Sequence, residues 1–172
     1  MRWVLTTGDI LDIPADVLVC SANVYLNLSG GVGGEILRRY GTGMQNELHG
    51  YLAERKLHFL APGTVVPTSS CGTRFAAVFH AVAVNAFYQS SPAVVGALVA
   101  KSLAMAATLG AQRVALTALA TGYGRLPMRQ FAEGVAPVMN AEFFPLSEVV
   151  VCVRHESERD ALSAALPDAV VM

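Results

Sequence analysis

The chain has 172 residues, of which 53% are hydrophobic and 15% charged, and its formal net charge is −1. That length is enough to bury a sizeable core, the composition excludes a disordered chain, and the near-neutral balance offers no basic field for nucleic acid. Cys20, Cys71 and Cys152 are scattered without C-x-x-C spacing, which excludes a disulfide framework. No apolar tract is long enough for a membrane span, and the first residues lack the apolar run of a signal peptide. The expectation is a single cytoplasmic domain over residues 1–172, with no membrane or nucleic-acid partner.

Trp3 to Thr6 reads as a short strand, followed by a turn at Thr7-Gly8-Asp9-Ile10. Asp12 to Asp16 is a connection, because Pro14 rules out a regular element. A second strand, Val17 to Cys20, turns through Ser21, Ala22 and Asn23 toward the run Ser29-Gly30-Gly31-Val32-Gly33-Gly34. A helical pattern begins at Glu35 and breaks at Gly41. Thr42, with Gln45 three residues on, forms a capping-box pattern for a helix carrying Met44, Leu48, Tyr51 and Leu52. That helix ends near Arg55 or Lys56.

Pro62-Gly63 is a turn, and Thr64 to Thr68 and Phe75 to Val84 read as strands. Ser91-Pro92 opens a helix that Gly110 stops. Val114 to Leu119 is a continuous apolar strand, of the kind buried on both faces of a parallel sheet. It leads into a second glycine loop, Ala120-Thr121-Gly122-Tyr123-Gly124. Pro127 then opens a helix to about Phe144, with a kink expected at Pro137. Val149 to Val153 is the last strand, and Ser157 to Leu166 is a helix capped by Ser157 with Asp160 behind it. This alternation predicts a three-layer α/β/α sandwich around a mixed, mainly parallel sheet of about six strands. Such sheets bind ligands beyond the carboxyl ends of their strands, where both glycine loops lie.

Four glycines in the five residues from Gly30 to Gly34 are entropically expensive, and a fold keeps them where the backbone does something unusual. A loop between a strand's end and a helix's first turn aims free N–H groups and the positive helix dipole at one point, a site for an anion such as phosphate. It is not a Walker A loop, because no Lys-Ser or Lys-Thr follows. Nor is it G-x-G-x-x-G, because Ile36 stands where the third glycine belongs.

Asn23 follows a buried strand directly, so its amide either points into the loop-lined cleft or caps its own turn. Asp9 has the same two options, accepting an amino hydrogen of a base or capping a turn. Cys20 ends an apolar strand with no base near it in sequence, and His80 lies in the apolar strand Phe79-His80-Ala81-Val82. Both read as core residues. His49, His58 and His155 share no ligand spacing, and neither a metal nor a cofactor is expected.

Taken together, these pieces resemble the macrodomain family of ADP-ribose-binding modules. Gly8-Asp9-Ile10 is similar to its G-D-I turn, and Ser21-Ala22-Asn23 followed by Gly30-Gly31-Val32 to its N-A-A-N…G-G-G-V segment. Pro62-Gly63-Thr64-Val65, Phe79-His80-Ala81-Val82 and the strand and loop from Ala115 to Gly124 are similar to three further family motifs, in the same order. The resemblance implies that Asp9 and the Ile10 amide hold adenine. It implies that Gly30, Gly31 and Val32, with Ala120, Thr121, Gly122, Tyr123 and Gly124, cradle the diphosphate. Asn23 would bond the distal ribose or its attacking water, Tyr123 would pack on the distal side, and Arg154 would stack over adenine.

The chain departs from the family pattern at four places. Cys20 replaces the first asparagine of N-A-A-N, and Ser29 the first glycine of the triplet. Gly33 stands where many hydrolytic members have an acidic residue, with Glu35 two places later. The second loop is one residue shorter than the common T-G-x-x-G. Two classes of function stay open. One is an enzyme removing acyl or protein groups from ADP-ribose, as an O-acetyl-ADP-ribose deacetylase or ADP-ribosyl hydrolase does, with Asn23 positioning water. The other is a non-catalytic reader of ADP-ribosylated protein, or a general binder of nucleotide diphosphates.

Overall fold

The strand Val17–Ala22 explains the architecture, because its side chains enter two separate cores. Val17 and Val19 join one, and Leu18 and Cys20 the other. A strand apolar on both faces needs a cover on each. The computed structural model describes all 172 residues and shows both covers. The chain runs β1 (Arg2–Thr7), β2 (Val17–Ala22), α1 (Gly31–Tyr40), α2 (Gly43–Glu54), β3 (Val65–Ser69) and β4 (Ala77–Val82). It continues through α3 (Pro92–Thr108), β5 (Arg113–Thr117), α4 (Met128–Met139), β6 (Glu148–Val153), α5 (Glu156–Ala165) and β7 (Val170–Val171).

One sheet holds the strands in the order β3-β4-β2-β5-β6-β1-β7. Every pairing is parallel except β3 with β4. On one face α3, α4 and α5 bury Val95, Leu98, Phe131, Val135 and Leu162 against Val19, Phe79, Leu116 and Val151. On the other, α1 and α2 bury Ile36, Met44, Leu48 and Leu52 against Leu18, Val78, Val82 and Ala115. Burying each of the larger of these side chains stabilises the fold by about 1.5–3 kcal/mol. Helices α3 and α4 meet backbone to backbone: a β-carbon at Gly96 would stand 2.6 Å from the Gly134 carbonyl oxygen, and one at Gly134 would stand 3.1 Å from the Gly96 nitrogen. No helix is long and apolar enough to cross a membrane.

The sheet has seven strands rather than six. The seventh, β7, is a two-residue edge strand beside Val4 and Leu5, too short to show any alternation. Helix α1 starts at Gly31, four residues before Glu35, because its glycines occupy the first turn, where N–H groups have no helical partner to lose. No capping box forms at α2: the Thr42 side chain makes no cap bond, and Gln45 reaches across to the loop before α1. Helix α4 stops at Met139 and not near Phe144, with Pro137 inside its last turn. Helix α5 starts at Glu156 behind His155, whose N–H donates to Glu158 at 3.0 Å; Ser157 lies inside the first turn.

Connections leave β2 and β5 in opposite directions. From β2 the chain passes through α1 and α2 to the β3–β4 side, and from β5 through α4 to β6. Adjacent strands with diverging crossovers open a crevice at their carboxyl ends. The loops that flank this crevice are the two glycine loops.

Candidate functional site

The first loop is braced before it reaches its glycines. Asn23 Oδ1 accepts from the N–H groups of Tyr25 (3.0 Å) and Asn27 (3.2 Å), and its Nδ2 donates to the Asn27 carbonyl (2.8 Å). Self-capping therefore takes three of the four bonds this amide makes, and one amino hydrogen stays free of protein partners. Helix α2 grips the same loop. Gln45 accepts from Leu28 N–H at 2.7 Å and donates to the Leu26 carbonyl at 2.9 Å, while His49 Nε2 lies 2.9 Å from Asn27 Oδ1.

Gly31 then turns into α1 at φ 53°, with no side chain capping the helix. The N–H groups of Gly31, Val32 and Gly33 find no acceptor in the protein; the first helical bond runs from Gly34 to the Gly30 carbonyl. Three donors and the positive helix end thus face one spot. A β-carbon at Gly33 would stand 3.2 Å from the Leu28 Cα, so Leu28 crowds the place where a carboxylate would be attached.

The second loop is anchored by Ser21, whose Oγ accepts from Ala120 N–H at 3.0 Å. Ala120 takes φ 65°, and Thr121 Oγ1 donates to the Ala118 carbonyl at 2.7 Å. The N–H groups of Gly122, Tyr123 and Gly124 also lack protein acceptors. A β-carbon at Gly124 would strike the Ala120 carbonyl and stand 2.7 Å from Val84 Cγ1, so only glycine fits. The Tyr123 ring lies over Gly30, where an added β-carbon would stand 2.8 Å from its Cε2, and Tyr88 flanks it at 6.4 Å between centroids. The loops therefore touch across the crevice.

Asp9 lies at the end of β1, where Gly8 N–H bonds the Val153 carbonyl at 3.0 Å. Its Oδ1 caps a short 3-10 turn by accepting from Leu11 N–H at 2.9 Å, and its Oδ2 is bonded by Arg39 of α1. Ile10 N–H has no protein acceptor. Glu35 does not reach the glycine loop: Arg38 and Arg39 both bond it and hold its carboxyl down at about 2. Arg154 is exposed, and its backbone N–H donates to Glu158 at 3.1 Å.

Cys20 and His80 are buried. Cys20 Sγ lies 3.8 Å from His80 Nδ1, and His80 Nε2 lies 3.1 Å from Thr68 Oγ1. Burial pushes the thiol up to about 12 and the imidazole down to about 4, so neither is a nucleophile or base in waiting. No three His, Cys, Asp or Glu side chains gather where they could hold a metal. A surface hollow of about 410 Å³ lined by His49, Leu52 and Lys56 shares no residue with the glycine loops.

The two glycine loops touch at Gly30 and Tyr123, and the Asp9 turn is tied to α1 through Arg39. Arg154 follows Val153, whose carbonyl accepts from Gly8 N–H, while Cys20 and His80 lie in the core. Sequence reasoning missed Ser21, Arg39, Gln45 and Tyr88. Ser21 carried a usable signal, its place between a buried strand and Asn23. The other three act across the fold and carried none.

The model of the family described as Macro domain matches residues 19–135. The chain belongs to the macrodomain family. This macrodomain is 31% identical over 166 residues to a macro domain-containing protein of Streptomyces nogalater, covering 96% of this chain and 92% of that one. It is 30% identical over 162 residues to an uncharacterised protein of Saccharolobus solfataricus, covering 93% and 89%. In fold it superposes on an Oceanobacillus iheyensis macrodomain variant solved with ADP-ribose, with a TM-score of 0.85, 18% identity, and coverage of 95% and 90%. A Trypanosoma brucei macrodomain in complex with ADP-ribose gives a TM-score of 0.78 at 18% identity, covering 94% and 68%.

Proposed function

We propose that this macrodomain binds ADP-ribose or an ADP-ribosyl derivative in the crevice between its glycine loops. The observation that carries this reading is the set of backbone N–H groups without protein acceptors at Gly31, Val32, Gly33, Gly122, Tyr123 and Gly124. They sit on two loops that touch at Gly30 and Tyr123, and a diphosphate is the ligand such a double cradle suits. At one end Asp9 offers an acceptor and Ile10 N–H a donor, complementary to the amino and ring-nitrogen edge of adenine. At the other, Asn23 keeps one amino hydrogen for a ribose hydroxyl or a water.

Turnover is proposed to be slow. The Asn23 amide orients water but takes no proton, Gly33 supplies no carboxylate, and Glu35 is held by two arginines. The substrate's own phosphate is then the available proton acceptor for hydrolysis of a distal-ribose ester. A reader of ADP-ribosylated protein uses the same binding contacts.

Calorimetric titration tests the reading. ADP-ribose is expected to bind at least about tenfold more tightly than AMP, since AMP lacks the diphosphate and distal ribose. Equal affinity for AMP, or no binding of ADP-ribose, overturns it. O-acetyl-ADP-ribose hydrolysis, followed in the same preparation, separates a slow esterase from a reader.

A further inference from the structure

Asp9 is held at both of its oxygens. Leu11 N–H donates to Oδ1 and the Arg39 Nη2 group bonds Oδ2. Arg39 is itself fixed from two more sides, with Nε 2.5 Å from Glu35 Oε1 and Nη1 3.6 Å from Asp12 Oδ1. Glu35 is steadied in turn by Arg38, which reaches both of its oxygens. A planar guanidinium spanning three carboxylates cannot rotate without breaking a pair. Its partners are partly exposed, so each pair adds little to folding stability, and the consequence is geometric.

A pinned, ionised carboxylate is an acceptor only, with its plane set. Beside it, the unpartnered Ile10 N–H is a donor only. This pair matches a purine that carries an amino group next to an unprotonated ring nitrogen. It opposes a purine that carries a carbonyl next to a ring N–H, at both positions. An Asp9 without Arg39 would keep only the Leu11 N–H on Oδ1 and would be freer to rotate.

Arg39 also ties the base end of the cleft to its phosphate end. It lies eight residues along α1 from Gly31, about 12 Å at the helical rise, so one rigid rod presents phosphate-facing N–H groups at its start and the Asp9 clamp near its end. Resting on the ADP-ribose reading above, we propose that Arg39 is a specificity-determining residue. By clamping Asp9 it selects a 6-amino over a 6-oxo purine in the nucleotide end of the ligand.

The experiment is calorimetric titration of ADP-ribose and inosine diphosphate ribose against wild type, Arg39→Met, Arg39→Lys and Glu35→Gln, with melting temperatures recorded for each. Wild type is expected to prefer ADP-ribose by at least about tenfold, the worth of one charge-assisted hydrogen bond. Arg39→Met is expected to shrink that preference by about fivefold, while the melting temperature moves little. Arg39→Lys keeps the charge without the fork and should fall between, as should Glu35→Gln, which leaves a neutral amide in place of the carboxylate on Nε. If Arg39→Met fails to fold, the lysine and Glu35→Gln variants carry the comparison. A preference unchanged within about twofold in every folded variant overturns the role of Arg39 and leaves the ADP-ribose reading standing. A wild type that binds neither ligand removes both.

Discussion

The ring of Tyr123 lies over the backbone of Gly30, closing one glycine loop onto the other. The contact works because Gly30 has no side chain. Tyr123 is 70% exposed, so a methyl group at position 30 can push the ring outward without disturbing the core. Gly30→Ala is therefore expected to leave stability within about 1 kcal/mol of wild type while weakening ADP-ribose binding by about 1–2 kcal/mol. In a Tyr123→Ala background the same change should lose most of its effect, giving a coupling near 1 kcal/mol in a double-mutant cycle. Strict additivity would show that the contact does not shape the binding conformation.

Gly122 and Gly124 make an internal control within the second loop. Nothing lies within 4 Å of a β-carbon at Gly122, whereas one at Gly124 meets the Ala120 carbonyl and Val84. Gly124→Ala is expected to destabilise by about 1–3 kcal/mol and to cut ADP-ribose affinity, and Gly122→Ala to be near neutral in stability. Denaturant melts and titration of the two variants check this, and equal stabilities would refute the packing argument.

Asn23 and Gln45 separate loop order from chemistry. Asn23→Ala removes both the bracing of the Tyr25–Asn27 turn and the free amino hydrogen, so binding and any ester turnover should fall together. Gln45→Ala loosens the same loop through Leu26 and Leu28 but leaves the Asn23 amide in place. Its expected signature is a KM raised by about three- to tenfold with kcat largely kept. A kcat loss as large as that of Asn23→Ala would assign the chemistry elsewhere.

His80 imposes a pH dependence on folding. Burial lowers its pKa from the ordinary 6.5 to about 4, so it stays neutral in the fold while the unfolded chain protonates nearer 6.5. Between those values the unfolded state binds the extra proton. Stability contributed by neutral His80 is full above about pH 6.5 and declines as pH falls toward 4, by about 1.4 kcal/mol for each unit. His80→Gln retains a partner for Thr68 and does not titrate. The stability gap between wild type and this variant should narrow from pH 7 to pH 4.5 in urea melts. A gap that stays constant would mean that His80 does not titrate on unfolding.

The sheet was legible wherever a strand was long and apolar. Val17 to Cys20 and Val149 to Val153 announce burial on both faces, and the alternation of strands and helices dictates parallel pairing. The two-residue β7 carries no pattern to read. Glycines hid the start of α1, because their low helix propensity argues against the helix whose first turn they form. At the site, the backbone donors could be anticipated from Gly30 to Gly34 and from Gly122 to Gly124, since their order along the chain sets their place at strand ends. Side chains acting over long sequence separations could not. Arg39 reaches Asp9 across thirty residues, and Gln45 turns away from its expected cap toward Leu26, choices that only the packed chain settles.

The contact between Gly96 and Gly134 bears on how this crevice can open. With two backbones already at touching distance, α4 cannot come closer to α3 at this crossing. Widening of the gap then falls to the loops themselves, the first held by Gln45 and the second carrying positive φ at Ala120 and Arg125. A ligand entering the proposed crevice is then expected to displace a few loop residues and not the helices behind them.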